Sequence, residues 1–209
     1  MSDHNCCYTS SNLEPTPENK KIYQAILAKI KLYQPKSVLE IGAGTGTLGN
    51  EISQLGIRYT GLEPDADSLN FCKNRFPHLS VLEGSCYDAP EKLALGEFDF
   101  VFSTDVIEHL FSPRKLLNFK FNHVKSGGHV LTCTPDFGNY WKNILYAITH
   151  KWDTVHSPTW DGGHIKFFSR KWLRILLEEQ GFEAFEWATI TNVNIPILPM
   201  SILSVCKRP

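Results

Sequence analysis

The residues of this sequence best suited to chemistry form a glycine-rich turn, in which Gly42, Gly44 and Gly46 alternate with small side chains. Glycines between a strand and a helix let the backbone bend sharply, and they let a ligand approach the main chain without meeting a side chain. Glu63 lies 21 positions after Gly42, at the end of the next predicted strand, where its carboxylate can accept hydrogen bonds from both hydroxyls of a ribose. The spacing predicts a nucleotide-binding turn. The alternative is a tight turn that packs a helix on a strand, with Glu63 as a solvated charge.

The residues around this turn narrow the kind of ligand. A dinucleotide fingerprint needs glycine at its sixth position, which is Thr47 here, and a phosphate-gripping loop needs a lysine that does not follow Gly46. Glu40, two residues before Gly42, adds a carboxylate that repels a pyrophosphate and favours a cation. We therefore expect a ligand that carries positive charge.

At residues 40–46 the sequence resembles the class I S-adenosylmethionine-dependent methyltransferases, whose first motif is an acidic residue followed by glycines in this pattern. The resemblance covers nearly the whole chain, because residues 98–110 are similar to the fourth-strand motif and residues 124–130 to the turn before the fifth strand. It implies S-adenosylmethionine as the cofactor, with Glu63 holding the ribose and residues 84–86 lining the adenine. The cofactor-binding residues that the resemblance implies are Glu40, Gly42, Ala43, Gly44, Gly46, Glu63, Pro64, Ser85, Cys86, Thr104 and Asp105.

Methyl transfer from a sulfonium needs few catalytic groups, because the methyl donor is activated by its own charge. The protein aligns the acceptor and, for a hydroxyl acceptor, removes its proton. In open parallel sheets, ligands bind beyond the carboxyl ends of the strands, at the switch point between the first and fourth strands here. Thr104 and Asp105 end the fourth predicted strand, so we expect them to face the methyl group, with Asp105 as the first candidate for a catalytic residue.

Residues 105–109 raise a second kind of chemistry. If they are helical, Asp105, Glu108 and His109 converge at steps of three and four, as ligands of one cation would. The pattern resembles the metal-binding motif of some small-RNA 2′-O-methyltransferases and some quinone-biosynthesis O-methyltransferases. Those proteins have glutamate where Asp105 stands, and the RNA enzymes have a histidine where Ser112 stands. We therefore assign no metal site and keep His109 as a catalytic candidate. In the alternative, Glu108 and His109 tie the cofactor loop to neighbouring backbone.

His164 is the third catalytic candidate. It lies in residues 161–169, a segment that resembles one found after the fifth strand in many small-molecule members of this superfamily. An imidazole titrates near neutral pH, so His164 can act as a general base toward an acceptor hydroxyl. The alternative is that His164 hydrogen-bonds a loop while Phe167 and Phe168 pack in the core. Residues 135–164 are rich in aromatic side chains, and we interpret them as a lid over an apolar or planar acceptor.

The elements that must position these residues alternate along the chain. This order predicts an α/β fold with a Rossmann-like, doubly wound, seven-stranded sheet that is mainly parallel and ends in a C-terminal antiparallel hairpin. Apolar periodicity predicts helices at residues 18–33, 48–55, 65–75, 113–124, 139–148 and 170–180. Apolar runs predict strands at residues 37–41, 57–62, 79–82, 98–102, 130–133, 182–190 and 197–206. We expect residues 1–17 to be a mobile leader and residues 18–209 to form a single domain.

Composition narrows the acceptor and the cellular compartment. The 209 residues include 21 Lys plus Arg and 22 Asp plus Glu, so the chain lacks the basic excess that a nucleic-acid binder directs at phosphates. No uncharged apolar run approaches the roughly 20 residues that span a bilayer. The leader lacks the apolar core of a secretory signal, and the six cysteines show neither metal nor disulfide spacing. We therefore expect a cytoplasmic protein without membrane insertion.

These observations favour transfer of a methyl group to a small-molecule acceptor, at oxygen, with no nucleic-acid partner. Two alternatives stay open. The first is an RNA or other macromolecular methyltransferase, with or without a metal ion. The second is a non-catalytic module that binds the cofactor and regulates a partner.

Overall fold

A computed structural model describes residues 14–151, 162–195 and 198–209. The strands are β1 (Ser37–Ile41), β2 (Arg58–Glu63), β3 (Val81–Glu83), β4 (Phe98–Thr104), β5 (Val124–Pro135), β6 (Glu183–Thr191) and β7 (Pro199–Lys207). The helices are α1 (Pro17–Tyr33), α2 (Thr47–Ser53), α3 (Ala66–Arg75), α4 (Pro90–Leu93), α5 (Pro113–His123), α6 (Tyr140–Thr149) and α7 (Arg170–Glu179), with a 3₁₀ turn at Ile107–His109.

The strands form one seven-stranded sheet in the order β3-β2-β1-β4-β5-β7-β6. The first five strands pair in parallel, and β7 runs antiparallel to both β5 and β6. The predicted fold class and its C-terminal hairpin are therefore confirmed. The chain reverses its direction of travel across the sheet between β1 and β4, which leaves a crevice beyond the carboxyl ends of these two strands.

Helices cover both faces of the sheet, and the strand residues divide between two cores. β1 is buried along its whole length, as a central strand covered on both faces must be. Val38 packs in a cluster with Ile26 of α1, whereas its neighbour Leu39 packs in a second cluster with Leu116 of α5 and Leu173 of α7. Side chains alternate along a strand, so α1 lies on one face of the sheet, and α5 and α7 lie on the other.

Two local predictions differ from the structure. The glycine pair predicted as a turn before the fifth strand lies inside β5, where the pairing register with β4 shifts and Gly127 takes a φ of 75°. The extra residues make a bulge, so the strand continues through them. The helix considered for residues 105–109 does not form over this whole range. Only Ile107–His109 forms a 3₁₀ turn, and Asp105 takes a left-handed φ of 51°.

Some sequence predictions fall outside the described residues. These are residues 1–13 of the expected leader and residues 152–161 of the expected lid, with Asp161 among them. The described part of the lid contains α6, where a helix was predicted at residues 139–148. Within the described ranges, no helix has both the length and the apolar character needed to cross a bilayer.

Candidate active site

A cavity of about 400 Å³ opens beyond the carboxyl ends of β1, β2 and β4. Ten of the eleven predicted cofactor residues line it: Glu40, Gly42, Ala43, Gly44, Glu63, Pro64, Ser85, Cys86, Thr104 and Asp105. Gly46 is the exception. It caps the start of α2 with a φ of 75°, and an added Cβ there would lie 3.4 Å from Cβ of Cys72 in α3. Gly46 therefore serves the packing of the turn and not the wall of the cavity.

The glycine turn owes its shape to left-handed backbone that other residues rarely adopt. Gly42 and Gly44 have φ values of 81° and 54°. An added Cβ at Gly42 would lie 2.5 Å from Cγ2 of Val106, so glycine is also required there for space. The amides of Gly42 and Ala43 both donate to the carbonyl of Leu62 at 2.9 Å, which fixes the turn to β2.

Glu63 lies at the end of β2, where the sequence predicted it, and its carboxylate is held by backbone amides. Oε2 accepts from the amide of Gly44 at 2.6 Å, and Oε1 accepts from the amide of Asp65 at 2.9 Å. Burial raises the pKa of Glu63, although both backbone hydrogen bonds oppose the rise. Each oxygen retains a lone pair, so the carboxylate can still accept from a ligand in the cavity that it lines.

Glu40 is the most deeply buried of the cavity carboxylates, with 2% of its surface exposed. Its Oε2 accepts a hydrogen bond from the hydroxyl of Tyr59 at 2.5 Å. Burial raises the pKa of Glu40 to about 8, and the charge of nearby Glu63 adds to the rise. A positively charged ligand would reverse this effect, because an adjacent cation favours the ionised form of a carboxylate. The carboxylates of Glu40 and Glu63 therefore fit a cationic cofactor such as S-adenosylmethionine.

Asp105 also lines the cavity, just past the end of β4. Its backbone amide donates to the carbonyl of Cys133 in β5 at 3.1 Å, which holds the left-handed residue in place. Burial raises the pKa of Asp105. His109 lines the same cavity, so two of the three predicted catalytic residues face it.

The third predicted catalytic residue, His164, lies beside His109, with 4.9 Å between the centroids of the two imidazole rings. Together with Glu108 they form a cluster in which one ligand atom from each residue lies within 4.8 Å of the others. We call these three residues the Glu-His-His cluster. The sequence had grouped Asp105 with Glu108 and His109, and the structure brings His164 to this pair.

Glu108 anchors the Glu-His-His cluster from the protein interior. It has no exposed surface, and its Oε2 accepts from the hydroxyl of Thr134 at 2.9 Å. Its Oε1 is buried and has no hydrogen-bond partner among the described residues. Burial, together with the nearby charge of Asp105, raises the pKa of Glu108.

Backbone contacts bring His164 to the cluster. The amides of Ile165 and Lys166 both donate to the carbonyl of Glu108, at 3.0 and 2.9 Å. Nδ1 of His109 lies 2.5 Å from the carbonyl of Gly162, and a hydrogen bond there makes Nδ1 the donor and leaves Nε2 as the acceptor. These contacts join distant parts of the chain, so sequence spacing could not reveal them.

The start of the described chain also contributes to the cavity. Glu14, Pro15 and Thr16 line it, although sequence reasoning had placed them in a mobile leader. Thr16 caps α1, since its side-chain oxygen accepts from the amide of Asn19 at 3.1 Å. The pairing of a threonine with a following Pro17 is a recognisable helix start, and it is the sequence signal that α1 begins at residue 17 and not at residue 18.

The fold and the cavity together define a Rossmann-like protein with a nucleoside site at the switch point of its sheet. Residues 16–186 match the family model described as a methyltransferase domain. The chain therefore belongs to this methyltransferase family, and the resemblance to the class I superfamily, with S-adenosylmethionine as cofactor, is confirmed.

Similar proteins agree on the class and differ in their named reactions. The chain is 29% identical over 148 residues to a probable S-adenosylmethionine-dependent methyltransferase of Mycolicibacterium smegmatis, covering 71% of this chain and 52% of that protein. It is 25% identical over 136 residues to a ubiquinone biosynthesis O-methyltransferase of Nitrobacter winogradskyi, covering 58% of this chain and 51% of that protein. The chain thus spans about half the length of these curated relatives.

A solved structure confirms the fold. An S-adenosylmethionine-dependent methyltransferase from Archaeoglobus fulgidus superposes with a TM-score of 0.64 at 19% identity, covering 89% of this chain and 94% of that chain. At this identity the likeness concerns the fold alone.

Proposed function

We propose that this protein transfers the methyl group of S-adenosylmethionine to an oxygen atom of a small-molecule acceptor. One observation carries the proposal: a single cavity is lined by the glycine turn, Glu40 and Glu63 from β1 and β2, and by Asp105 and His109, which follow β4. The first group suits a cationic nucleoside, and the second suits a polar acceptor beside it.

Each residue of the site has a role that follows from its position. When bound, the cofactor supplies a methyl group on a positively charged sulfur. Glu63 accepts hydrogen bonds from the ribose, and Glu40 lines the cavity just before the turn, where its carboxylate favours the bound positive charge. Asp105 orients the acceptor beyond the carboxyl end of β4. His109, which lines the cavity, and His164 beside it form the pair that takes the proton of the acceptor hydroxyl as oxygen attacks the methyl carbon and the carbon–sulfur bond breaks.

Charge supports a small acceptor over a nucleic acid. The chain has a net charge of -1, and Asp105 adds a carboxyl to the lining of the cavity, which when ionised would repel a phosphate backbone. Oxygen as the target is supported by the paired histidines, because a hydroxyl acceptor needs a base. The name of the Nitrobacter relative, an O-methyltransferase, agrees with this choice.

Calorimetric titration with S-adenosylmethionine and S-adenosylhomocysteine tests the cofactor site. Gly44→Val should abolish binding, because the side chain would enter the cavity from a turn with a φ of 54°. Gly56→Val is the matched control, since Gly56 has a φ of 76° and open space around it. Binding that survives in Gly44→Val, or is lost equally in Gly56→Val, would contradict the proposed site.

A metal-assisted version of the same transfer is the second candidate, and the Glu-His-His cluster favours it. Oε1 of Glu108, the buried atom without a hydrogen-bond partner among the described residues, faces Nε2 of His109 at 4.0 Å. Glu108, His109 and His164 would hold a divalent cation, which would make an acceptor hydroxyl easier to deprotonate. Titration with Co²⁺ and Mg²⁺ separates the two versions: the metal version requires binding that His164→Ala removes, and activity that chelation abolishes.

A further inference from the structure

Large apolar side chains are exposed on the side of the protein where α5 begins and α7 packs. Phe111 is 85% exposed and Trp172 is 58% exposed, and Ile165 and Phe167, shortly before Trp172 in the sequence, are also exposed. Phe111, Phe167 and Trp172 border a groove of about 300 Å³. We call Phe111, Ile165, Phe167 and Trp172 the aromatic face. Exposed apolar clusters of this kind mark interaction surfaces in soluble domains.

Helix α6 has a second exposed apolar surface, because it buries a charged side chain and exposes its apolar ones. Its lysine, Lys142, is buried with 4% exposure and donates to the carbonyl of Asp136. Trp141 and Ile148 are 72% and 73% exposed, and with Leu145 they lie at steps of four and three, which places them on one side of the helix. A surface helix normally turns its apolar stripe to the core. The outward stripe of α6 therefore indicates an apolar environment outside the protein.

One contact joins α6 to the aromatic face. Phe137, which precedes α6 by three residues, packs edge-on against Phe167 with 4.9 Å between ring centroids. The side chain of Asn143 in α6 donates to the carbonyl of Phe137 at 2.9 Å. Phe137 thus connects α6 to the aromatic face.

Positive charges accompany these aromatic rings. Lys166 borders the groove, and Nζ of Lys171 lies 5.4 Å from the centre of the Trp172 ring. Nζ of Lys115 in α5 lies 5.4 Å from the ring of Tyr87, which is also exposed. Within the described part of the chain, none of these three lysines is in an ion pair. Arg114 borders the groove as well, paired with Glu179 at 2.7 Å.

We propose that the aromatic face and the outward stripe of α6 dock on the surface of an anionic phospholipid bilayer. Tryptophan and phenylalanine settle at the boundary between headgroups and acyl chains, and lysines beside them attract anionic headgroups. Docking of this kind needs no membrane-spanning segment.

Charge favours a bilayer over a second copy of the chain. A symmetric dimer through the same face would bring Lys166 and Lys171 of one copy near those of the other, and like charges at an interface oppose association. An anionic bilayer offers opposite charge and an apolar interior together.

The aromatic face lies close in the structure to the cofactor cavity and to the Glu-His-His cluster. Phe111 follows Leu110, which lines the cofactor cavity, and the amides of Ile165 and Lys166 are hydrogen-bonded to Glu108. A docked protein would therefore hold the Glu-His-His cluster close to the lipid, where an apolar acceptor dissolves.

Co-sedimentation of the full chain with vesicles tests the proposal without any methyl transfer. The vesicles contain phosphatidylcholine alone, or equal parts of phosphatidylcholine and phosphatidylglycerol. We expect binding to the anionic vesicles only, weakened by salt because the lysine contribution is screened. Lys166→Glu with Lys171→Glu should lower the partition coefficient about ten-fold or more, since each lysine near the surface contributes about a factor of five.

Apolar variants and a matched control complete the design. Phe111→Ser with Trp172→Ser, and separately Trp141→Ser with Ile148→Ser, should each reduce binding. Leu32→Ser with Lys31→Glu is the control, because these exposed residues end α1 on the opposite face of the sheet. Circular dichroism checks that each variant folds, and the lysine variant changes only partly or fully exposed side chains.

The following outcomes would overturn the proposal. One is no binding of the wild type to anionic vesicles. Another is equal binding to both vesicle types, or binding that the face variants and the α1 control reduce alike. The last is a concentration-dependent dimer, measured by light scattering, that the Phe111→Ser and Trp172→Ser changes abolish, because the face would then be an interface between copies.

Discussion

The hydroxyl of Tyr59 donates a hydrogen bond of 2.5 Å to the carboxylate of Glu40, between two neighbouring parallel strands. Glu40 pairs in register with Gly61, and Tyr59 lies two residues before that glycine on the same face of β2. An added Cβ at Gly61 would lie 2.8 Å from the Tyr59 hydroxyl. The glycine in β2 thus makes room for the ring to reach across to Glu40.

This relationship makes Tyr59 a positioning residue for the cofactor cavity. Burial raises the pKa of Tyr59, so the phenol keeps its proton and remains a donor. Burial raises the pKa of Glu40 to about 8, and the hydrogen bond from Tyr59 opposes this rise. The hydrogen bond from Tyr59 therefore makes it easier for Glu40 to ionise when a cation enters the cavity.

Tyr59→Phe should therefore weaken binding of S-adenosylmethionine. A hydrogen bond to a charged group contributes about 1.5–3 kcal/mol, which corresponds to a loss of affinity of roughly ten-fold or more. Calorimetric titration at pH 7 measures the change. Tyr33→Phe is the control, because Tyr33 also donates to a carboxylate, Glu186, at 2.5 Å, and neither residue lines the cavity. Equal affinity in wild type and Tyr59→Phe would show that the phenol does not support Glu40 in the bound state.

Gly49→Ala tests the same contact from the side of α2. An alanine inside a helix usually stabilises by about 1 kcal/mol relative to glycine. Here an added Cβ would lie 2.5 Å from the Tyr59 hydroxyl and 2.6 Å from Cε1 of the ring, so the ring must move. We expect Gly49→Ala to lower the free energy of unfolding and to weaken cofactor binding.

A double-mutant cycle checks the reason for that loss. If both changes act through the Tyr59–Glu40 bond, the double variant should lose little more affinity than Tyr59→Phe alone. Strictly additive losses, or a stabilised Gly49→Ala variant with normal binding, would contradict the steric explanation.

The cofactor half of the site could be predicted from the sequence because its determinants are local. Gly42, Gly44 and Glu63 are placed by one strand, one turn and the next strand, and all three line the cavity as expected. The Tyr59–Glu40 hydrogen bond could not be predicted from the sequence, because it depends on strand register and on the small size of Gly61, which no spacing rule reports.

The residues proposed to serve the acceptor are brought together by contacts that no sequence periodicity encodes. The sequence grouped Asp105 with Glu108 and His109 on the assumption of a helix, whereas the backbone turns at Asp105 with a φ of 51°. His164 was a candidate by itself, and its place in the cluster depends on amides of residues 165–166 that bind the carbonyl of Glu108. Such long-range backbone bonds become visible only when the fold is known.

His164→Gln should separate chemistry from cofactor binding. His164 is beside His109 and not on the cavity wall, so the dissociation constant of S-adenosylmethionine should stay within about two-fold of wild type. Removal of a general base should lower the rate of S-adenosylhomocysteine formation by about 10²–10⁴-fold, measured with a pool of phenolic and alcoholic acceptors. His78→Gln, at an exposed histidine outside the cavity, is the control. A normal rate in His164→Gln would contradict the proposed base.

Lys120 gives a prediction about stability and pH. Its ammonium group has no exposed surface and donates to the carbonyl of Leu131 and the hydroxyl of Thr132, both at 2.8 Å. Burial lowers the pKa of Lys120 to about 7, from an ordinary value of 10.5. Between these two values the unfolded chain binds the proton more tightly than the folded protein does. The contribution of Lys120 to stability therefore rises with pH across this window.

Lys120→Met isolates that contribution, because all other titrating groups are common to both proteins. The free energy of unfolding of wild type minus that of Lys120→Met should increase from about pH 7 to about pH 10, by at most about 1.4 kcal/mol per pH unit. Urea unfolding at several pH values measures it. Lys125→Met is the control: Lys125 is half-exposed and pairs with Asp99 at 2.7 Å, so its difference should vary little over the same range. A constant difference for Lys120→Met would mean that the buried amine keeps its ordinary pKa, since only a lowered pKa makes the folded state release the proton first.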